Sequence, residues 1–307
     1  MERTDIPPFD VVCAGEGMVE LSFAGPTPVI GHGGDTLNTA LHLARSGLRT
    51  GFLTALGTDP FSIEMRRAWQ AEGLDCSLVL THPERNAGLY AIRTDADGER
   101  SFSYWRDASA ARETFALPQS AAAAASAQST RVLLFSLITL AVLRPDGRAR
   151  LLELADAVRA NGGLVAFDGN YRPRLWASPA EAAAARDAAI ARADIGFPTL
   201  DDERQLGATD ADSCAGHWQS LGCTETVLKL GAGGCRLADG TVLPPPQVIV
   251  PVDTSGAGDA FNAGYLAARL RGEPSAACAL AGHRLAGLVV QRPGAIPSLD
   301  RSAYAPA

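Results

Sequence analysis

The run DTSGAGDAFNAG, Asp253 to Gly264, followed by YLAARLRG as far as Gly272, decides how this sequence is read. Gly256, Ala257 and Gly258 are small enough to let the backbone approach a ligand closely, and they lead into a stretch of helical composition that ends at Gly272. Free N–H groups and the dipole at such a helix start favour an anion, so the turn reads as a phosphate cradle. Asp259 sits in the first helical turn, where a carboxylate would repel an incoming phosphoryl group unless it takes a proton from the attacking hydroxyl. For the short GxGD string alone, a plain strand-to-helix turn with Asp259 as a helix-start carboxylate is the alternative.

Working outward, short apolar β-type runs alternate with longer helix-type stretches. The runs are Val11 to Ala14, Thr50 to Leu56, Val132 to Phe135, Leu164 to Phe167 and Thr226 to Leu230, and a further strand is expected at Ile195 to Phe197. Candidate helices lie at Thr36 to Arg45, Phe61 to Glu72, Arg148 to Ala160 and Ala180 to Arg192. This order predicts an α/β fold, a mostly parallel central sheet with helices on both faces. Val19 to His32 and Gly88 to Arg106 break the pattern, and GLYAIRTDADGERSFSYWR has the form of two strands about a turn at Asp97-Gly98. They are expected to make a small projecting β-sheet lid, from about 17–33 and 87–107, inserted in a single domain over 1–307. The alanine-rich Ala121 to Ala127 reads as a surface helix or a frayed connector.

The 307 residues, 47% hydrophobic and 20% charged, suffice for a substantial core. With 27 Lys+Arg against 34 Asp+Glu the formal charge is -7, and no basic stripe with interleaved aromatics follows a nucleic-acid backbone. A small anionic substrate remains compatible, because a few arginines in a cleft outweigh a mildly negative exterior. The six cysteines show no metal or disulfide spacing and read as buried thiols of a reducing cytosol. Met1 to Asp10 lacks an apolar signal segment, and no run of about 18 uncharged apolar residues occurs, so a soluble, cytoplasmic protein without a membrane partner is expected. There is no GxxxxGK[ST]; Gly15-Glu16-Gly17 follows a strand but has Glu20 where a dinucleotide fold needs its third glycine.

The longer glycine-turn string matches, position by position, a pattern of the ribokinase-like (PfkB-type) carbohydrate kinases. Resemblance to the 2-keto-3-deoxygluconate kinases of that family covers essentially the whole chain: GGDTLNT (Gly33 to Thr39), TALGTD (Thr54 to Asp59), GLY (Gly88 to Tyr90), YWR (Tyr104 to Arg106), FDGNYRPRLW (Phe167 to Trp176), TLDDE (Thr199 to Glu203) and the GAGD turn. The resemblance implies a ribokinase-like fold and ATP-dependent phosphorylation of the terminal primary hydroxyl of 2-keto-3-deoxygluconate, giving 2-keto-3-deoxy-6-phosphogluconate. By it Asp259 is the general base, and Gly256, Ala257 and Gly258 form the anion hole. Gly33, Gly34, Asp35 and Asn38 contact the sugar, with an ordinary helix cap as the alternative for Asp35 and Asn38.

Tyr90, Tyr104 and Arg106 come to lie over the sugar by the same resemblance; cross-strand pairing or a dimer contact would also explain the tyrosines. A 2-keto acid differs from fructose or ribose by its carboxylate, which a guanidinium binds through two parallel hydrogen bonds; this singles out Arg106. Asn170, Tyr171 and Arg172 are implied to line the site between sugar and nucleotide phosphates, with a salt-bridged surface arginine as the bland reading of Arg172. Lys229, Gly231 and Gly234 in KLGAGG resemble the nucleotide loop, a hairpin turn being the competing view, and His283 falls where adenine is contacted or where a helix simply packs. Thr199 and Asp202 replace the family's Asn and Glu, so Asp202 is expected to reach Mg2+ through water at most, the ion riding on ATP. Leu137 and Leu230 also depart from the pattern. A homodimer, or a multiple of dimers, pairing through the lid is expected. The alternatives are a kinase of the same fold acting on a neutral ketose such as fructose or tagatose, and a non-catalytic sugar-binding regulator.

Overall fold

The computed structural model describes residues 8–23, 27–94 and 100–305. Its strands are β1 (Val11–Ala14), β2 (Met18–Phe23), β3 (Val29–Gly33), β4 (Thr50–Leu56), β5 (Val79–Thr81), β6 (Gly88–Thr94), β7 (Arg100–Trp105), β8 (Val132–Ser136), β9 (Leu164–Asp168), β10 (Ile195–Phe197), β11 (Glu225–Thr226), β12 (Leu228–Lys229), β13 (Cys235–Arg236) and β14 (Val242–Leu243). The α-helices are α1 (Asp35–Arg45), α2 (Pro60–Ala71), α3 (Ser120–Ala127), α4 (Leu137–Val142), α5 (Pro145–Ala160), α6 (Pro179–Ile190), α7 (Leu200–Gln205), α8 (Ala211–Ser220), α9 (Ala257–Leu270) and α10 (Ser275–Val289).

Seven strands form one parallel sheet in the order β11-β10-β9-β8-β1-β4-β5. Its central strands are mostly apolar because both faces are covered, and the period-two alternation of side chains sorts them into two cores. Val12, Ala14, Leu53, Ala55, Leu133 and Phe135 join one core with α3, α4, α5 and α6. Val11, Cys13, Phe52, Leu56, Val132 and Leu134 join the other with α1, α2, α9 and α10. Leu137, flagged in the sequence as a departure at the pocket edge, lies wholly inside the first core. So do Ala123 and Ala127, so α3 packs as a helix and is not a frayed connector.

The predicted helices are present, and side-chain caps set the starts of α2 and α6. Asp59 accepts from the Ser62 amide at 3.1 Å and Pro60 opens α2. Pro145 starts α5 three residues before the expected Arg148, because a proline at the first helical position gives up no needed donor. One expected strand is corrected: Thr226 to Leu230 divides at Val227. β11 closes the main sheet, and β12 turns its free edge to β13 in a three-stranded antiparallel sheet, β12-β13-β14.

The segments that broke the α/β pattern form a separate four-stranded sheet, β3-β2-β6-β7, with β2 and β6 parallel and both outer pairs antiparallel. The expected turn at Asp97-Gly98 lies outside the described residues. All six cysteines are buried and unpaired, and no helix among the described residues is long and apolar enough to cross a membrane.

Helix α9, which begins at the glycine turn, is held against α10 by glycines at the crossing. A Cβ on Gly264 would stand 2.6 Å from the Ala281 carbonyl oxygen, and one on Gly282 would stand 2.8 Å from the Phe261 ring. Backbone cannot yield as a side chain can. Gly264→Val is expected to lower the unfolding free energy by about 1–3 kcal/mol, the usual cost of overpacking, measured as a fall in the urea midpoint.

Candidate active site

Gly256 caps α9 with φ 70, a left-handed conformation that favours glycine, and a Cβ there would meet the Ala295 carbonyl at 2.6 Å. The turn leaves donors free: among the described residues the amides of Gly256 and Gly258 make no backbone hydrogen bond, while that of Ala257 reaches the Thr254 carbonyl at 3.3 Å. One residue on, Asp259 is 9% exposed. Its Oδ2 accepts from Asn38 Nδ2 at 2.7 Å and its carbonyl from the Thr39 hydroxyl at 3.2 Å, which lock α9 to α1 at the site. Burial first, then the nearby charges of Asp35 and Asp168, push the Asp259 carboxyl up to about 8, against the opposing pull of Asn38 and Lys229.

Of the sequence-predicted site residues, all but Gly33 and Tyr171 line one cleft of about 2280 Å³ at the carboxyl ends of the parallel strands. Gly33 instead makes room for Tyr90, whose hydroxyl would lie 2.3 Å from a Cβ at that position. Tyr171 is 3% exposed and its side chain packs in the first core, because the chain leaving β9 turns its side chains alternately inward and into the cleft. Its backbone reaches the site, the amide donating to Asp202 at 3.3 Å and the carbonyl accepting from Arg172 Nη1 at 2.7 Å.

Gly34 brings the start of α1 against β1's exit, with space for no Cβ beside the Glu16 carbonyl 2.1 Å away. Asp35 accepts from Asn170 Nδ2 at 3.3 Å, and burial raises its carboxyl above the ordinary range. Asn38 Oδ1 is buried with no hydrogen-bond partner. Across the cleft, Tyr90 and Tyr104 are direct cross-strand neighbours with stacked rings 6.0 Å apart, and Phe102 continues the stack at 6.4 Å. The cross-strand pairing weighed in the sequence is therefore present, on the face that lines the cleft. Tyr90 also donates to Glu20. Arg106, expected on the hairpin, follows β7 and is 7% exposed, ion-paired with Glu16.

The nucleotide-loop candidates meet at the other end. Lys229 to Gly234 is a hairpin connection between β12 and β13, and Gly231 and Gly234 both have left-handed φ, 59 and 93. Lys229 Nζ donates to Asp168 Oδ1 at 3.0 Å and lies 3.4 Å from Asn262 Oδ1, while Asn262 Nδ2 donates to Asp168 Oδ2 at 2.7 Å. The ammonium stands 3.6 Å from where a Cβ on Gly258 would be, beside the free amides. Arg172 is extended, half-exposed and 3.4 Å from Asp202; Thr199 caps α7 without a side-chain hydrogen bond. Burial raises the Asp202 carboxyl, with Arg172 opposing. His283 packs edge-on against Phe261 and its Nε2 lies 3.1 Å from the Leu243 carbonyl, so it combines packing with a place on the cleft wall. Leu230 is half-buried against the first core.

Glu16, Asp168 and Asn262 were not singled out in the sequence. Asp168 ends β9 within a quoted string, and Asn262 stands three residues after Asp259 on the same helix face, a spacing that could have found it. Glu16 had no such signal, because its partner is 90 residues away.

A parallel α/β sheet with a glycine turn, a buried carboxyl at its strand ends and a small sheet facing them is a ribokinase-like frame. A family model described as pfkB family carbohydrate kinase matches residues 8–301. The 2-dehydro-3-deoxygluconokinase of Escherichia coli is 42% identical over 93% of this chain and 96% of that protein, and that of Dickeya dadantii is 42% identical over 95% and 97%. The solved structure of a PfkB protein from Polaromonas superposes with a TM-score of 0.84 at 29% identity, covering 96% of this chain and 98% of that one. This chain belongs to the pfkB family of carbohydrate kinases.

The raised pKa of Asp259 has a stability consequence. A carboxyl whose folded value lies near 8 against 3.8 as the reference contributes stability that is whole below about pH 4 and is lost as pH rises through 8. Asp259→Asn, which keeps an acceptor for Asn38 and has no charge to bury, is expected to be more stable than the parent at pH 8 by at least about 1 kcal/mol. Its advantage should shrink toward pH 4, read from thermal melts across that range.

Proposed function

We propose that this chain phosphorylates the terminal primary hydroxyl of 2-keto-3-deoxygluconate, the sugar acid also called 2-dehydro-3-deoxygluconate, using ATP. The observation that carries the reading is the buried Asp259 carboxyl beside two unpartnered amides, with a guanidinium, Arg106, on the cleft wall formed by the small sheet. Relatives 42% identical over nearly their full length bear that activity in their name.

The residues present fit a nucleotide triphosphate. The Gly256 and Gly258 amides and the Lys229 ammonium are free or shared donors at one spot, and the glycines of the Lys229 to Gly234 loop give close backbone approach along the same wall. Bound there, ATP supplies the transferable phosphoryl group. Asp259 in its ionised form takes the proton of the sugar hydroxyl: the burial and the Asp35 charge that raise its pKa make the carboxylate a stronger base, and the Asn38 hydrogen bond and the Lys229 charge favour that ionised form. Asn38, already donating to Asp259, fixes that carboxyl and has a buried Oδ1 left over to accept from a sugar hydroxyl. Asp35 and Asn170, bonded to each other, present further polar atoms to the sugar, and Arg106 takes its carboxylate, with Arg172 near the phosphates.

Among the described residues no group of three His, Cys, Asp or Glu side chains could hold a metal ion. Magnesium would be carried by the ATP phosphates, and Asp202 would be the side chain available to hold its water shell. The chain is read as a single domain over 1–307 with the β3-β2-β6-β7 sheet as a lid that excludes water from the reacting groups. Trp105 and Ile30, 62% and 56% exposed on that sheet, support pairing with a second copy through it. A cytoplasmic location completes the reading.

A coupled ADP-release assay over a panel of sugars and sugar acids tests the substrate, with highest kcat/KM expected on the keto acid and fructose preference overturning it. Asp259→Ala is expected to cut kcat by about 10²- to 10⁴-fold with sugar binding retained; near-normal turnover refutes the base assignment. Arg106→Ala should raise KM for the keto acid about 10- to 100-fold, the ~1.5–3 kcal/mol of a charge-assisted pair, and barely alter a neutral ketose.

A further inference from the structure

Glu16 stands at the exit of β1 with its side chain 1% exposed, against Arg106 with its side chain 8% exposed. Both line the cleft that Tyr90, Asp35 and Asn38 also line. The pair approaches through Arg106 Nη2 and Glu16 Oε2, yet neither Glu16 oxygen completes a hydrogen bond, and Arg106 Nε has no acceptor either. Two glycines are shaped around the pair. A Cβ on Gly88 would lie 2.8 Å from Glu16 Oε1 and 3.3 Å from Arg106 Cβ, and one on Gly34 would strike the Glu16 carbonyl. Tyr104 covers the guanidinium carbon, 5.9 Å from its ring centre.

A buried guanidinium without a counter-charge does not stay in place; it swings toward water or toward another carboxylate, here Asp35, whose field it already shares. We infer that Glu16 is a positioning residue for substrate choice: it anchors Nη2 and so holds the Arg106 guanidinium at the cleft, where the part of the side chain still open to the cleft meets the carboxylate of the sugar acid. Gly88 keeps room for the pair. A ligand carboxylate completes bonds of the guanidinium that a neutral ketose leaves unmade, so the pair discriminates through KM and not through the chemical step. This inference rests on the reading that Arg106 receives the substrate carboxylate.

The test is a double-mutant cycle on the purified full chain with 2-keto-3-deoxygluconate and ATP: Glu16→Gln, Arg106→Ala and both together, with thermal melts of each. Glu16→Asp, which keeps the charge but draws it back by one methylene, stands in should Glu16→Gln fold poorly. Each Glu16 substitution is expected to raise KM for the keto acid about tenfold or more while kcat and KM for ATP stay within about threefold. Added to Arg106→Ala, Glu16→Gln should change that KM by less than about twofold, since its effect passes through the arginine. If Arg106→Ala weakens the keto acid but the Glu16 variants do not, or if the two effects simply add, the positioning role is overturned and the carboxylate reading survives. If Arg106→Ala itself leaves the keto-acid KM unaltered, the carboxylate reading falls and this inference falls with it.

Discussion

Everything at this site depends on keeping a carboxyl group, Asp259, dry beside a helix start. In water its proton would be gone at neutral pH; in the cleft, burial and the like charges of Asp35 and Asp168 hold the proton on until about pH 8. The cost of that arrangement is met by the fold around it. Asn38 on α1 fixes the carboxyl, Thr39 fixes its backbone, and the Gly264–Gly282 crossing seats α9 against α10. A loosening of α9 by an ångström would let water reach the carboxyl and return it to ordinary behaviour.

The main sheet was legible because its strands obey one simple rule. Runs such as Val11 to Ala14 and Val132 to Phe135 are apolar on both faces, which only a sheet covered on both sides can satisfy. The glycine turn was legible for the opposite reason: Gly256 adopts a conformation that disfavours other residues, so its identity reports its geometry. Thr226 to Leu230 misled because apolar content does not reveal that a strand can change partners at Val227 while keeping its direction. The burial of Tyr171 was not legible because its neighbours Asn170 and Arg172 face the cleft, and alternation sends the side chain between them into the core.

The pairings that give the site its electrostatics were the part hidden in the sequence. Lys229 and Asp168 are 61 residues apart, and Arg106 and Glu16 are 90 apart. No local spacing encodes such contacts; they exist because β1, β9 and β12 end at one rim, and the small sheet brings the end of β7 over it. Asn262 was within reach of local reasoning, since a helix presents residues three apart on the same face.

Those pairings also explain how a chain of net charge -7 can receive anionic ligands. The three cations expected at the site each face a carboxylate: Lys229 with Asp168, Arg106 with Glu16, Arg172 with Asp202. A cation held this way is already desolvated and aimed, so an incoming anion meets a fixed donor and does not have to strip one from water. The paired carboxylates also reduce the attraction, which limits how tightly any single anion can be retained. Lys229 and Arg106 are the buried cases, 12% and 8% exposed at their side chains, whereas Arg172 is 53% exposed and weakly paired. The discriminating contacts should therefore sit at the two buried cations, where a misplaced group leaves a desolvated charge unsatisfied, while Arg172, half in water, contributes mostly to the general field of the cleft.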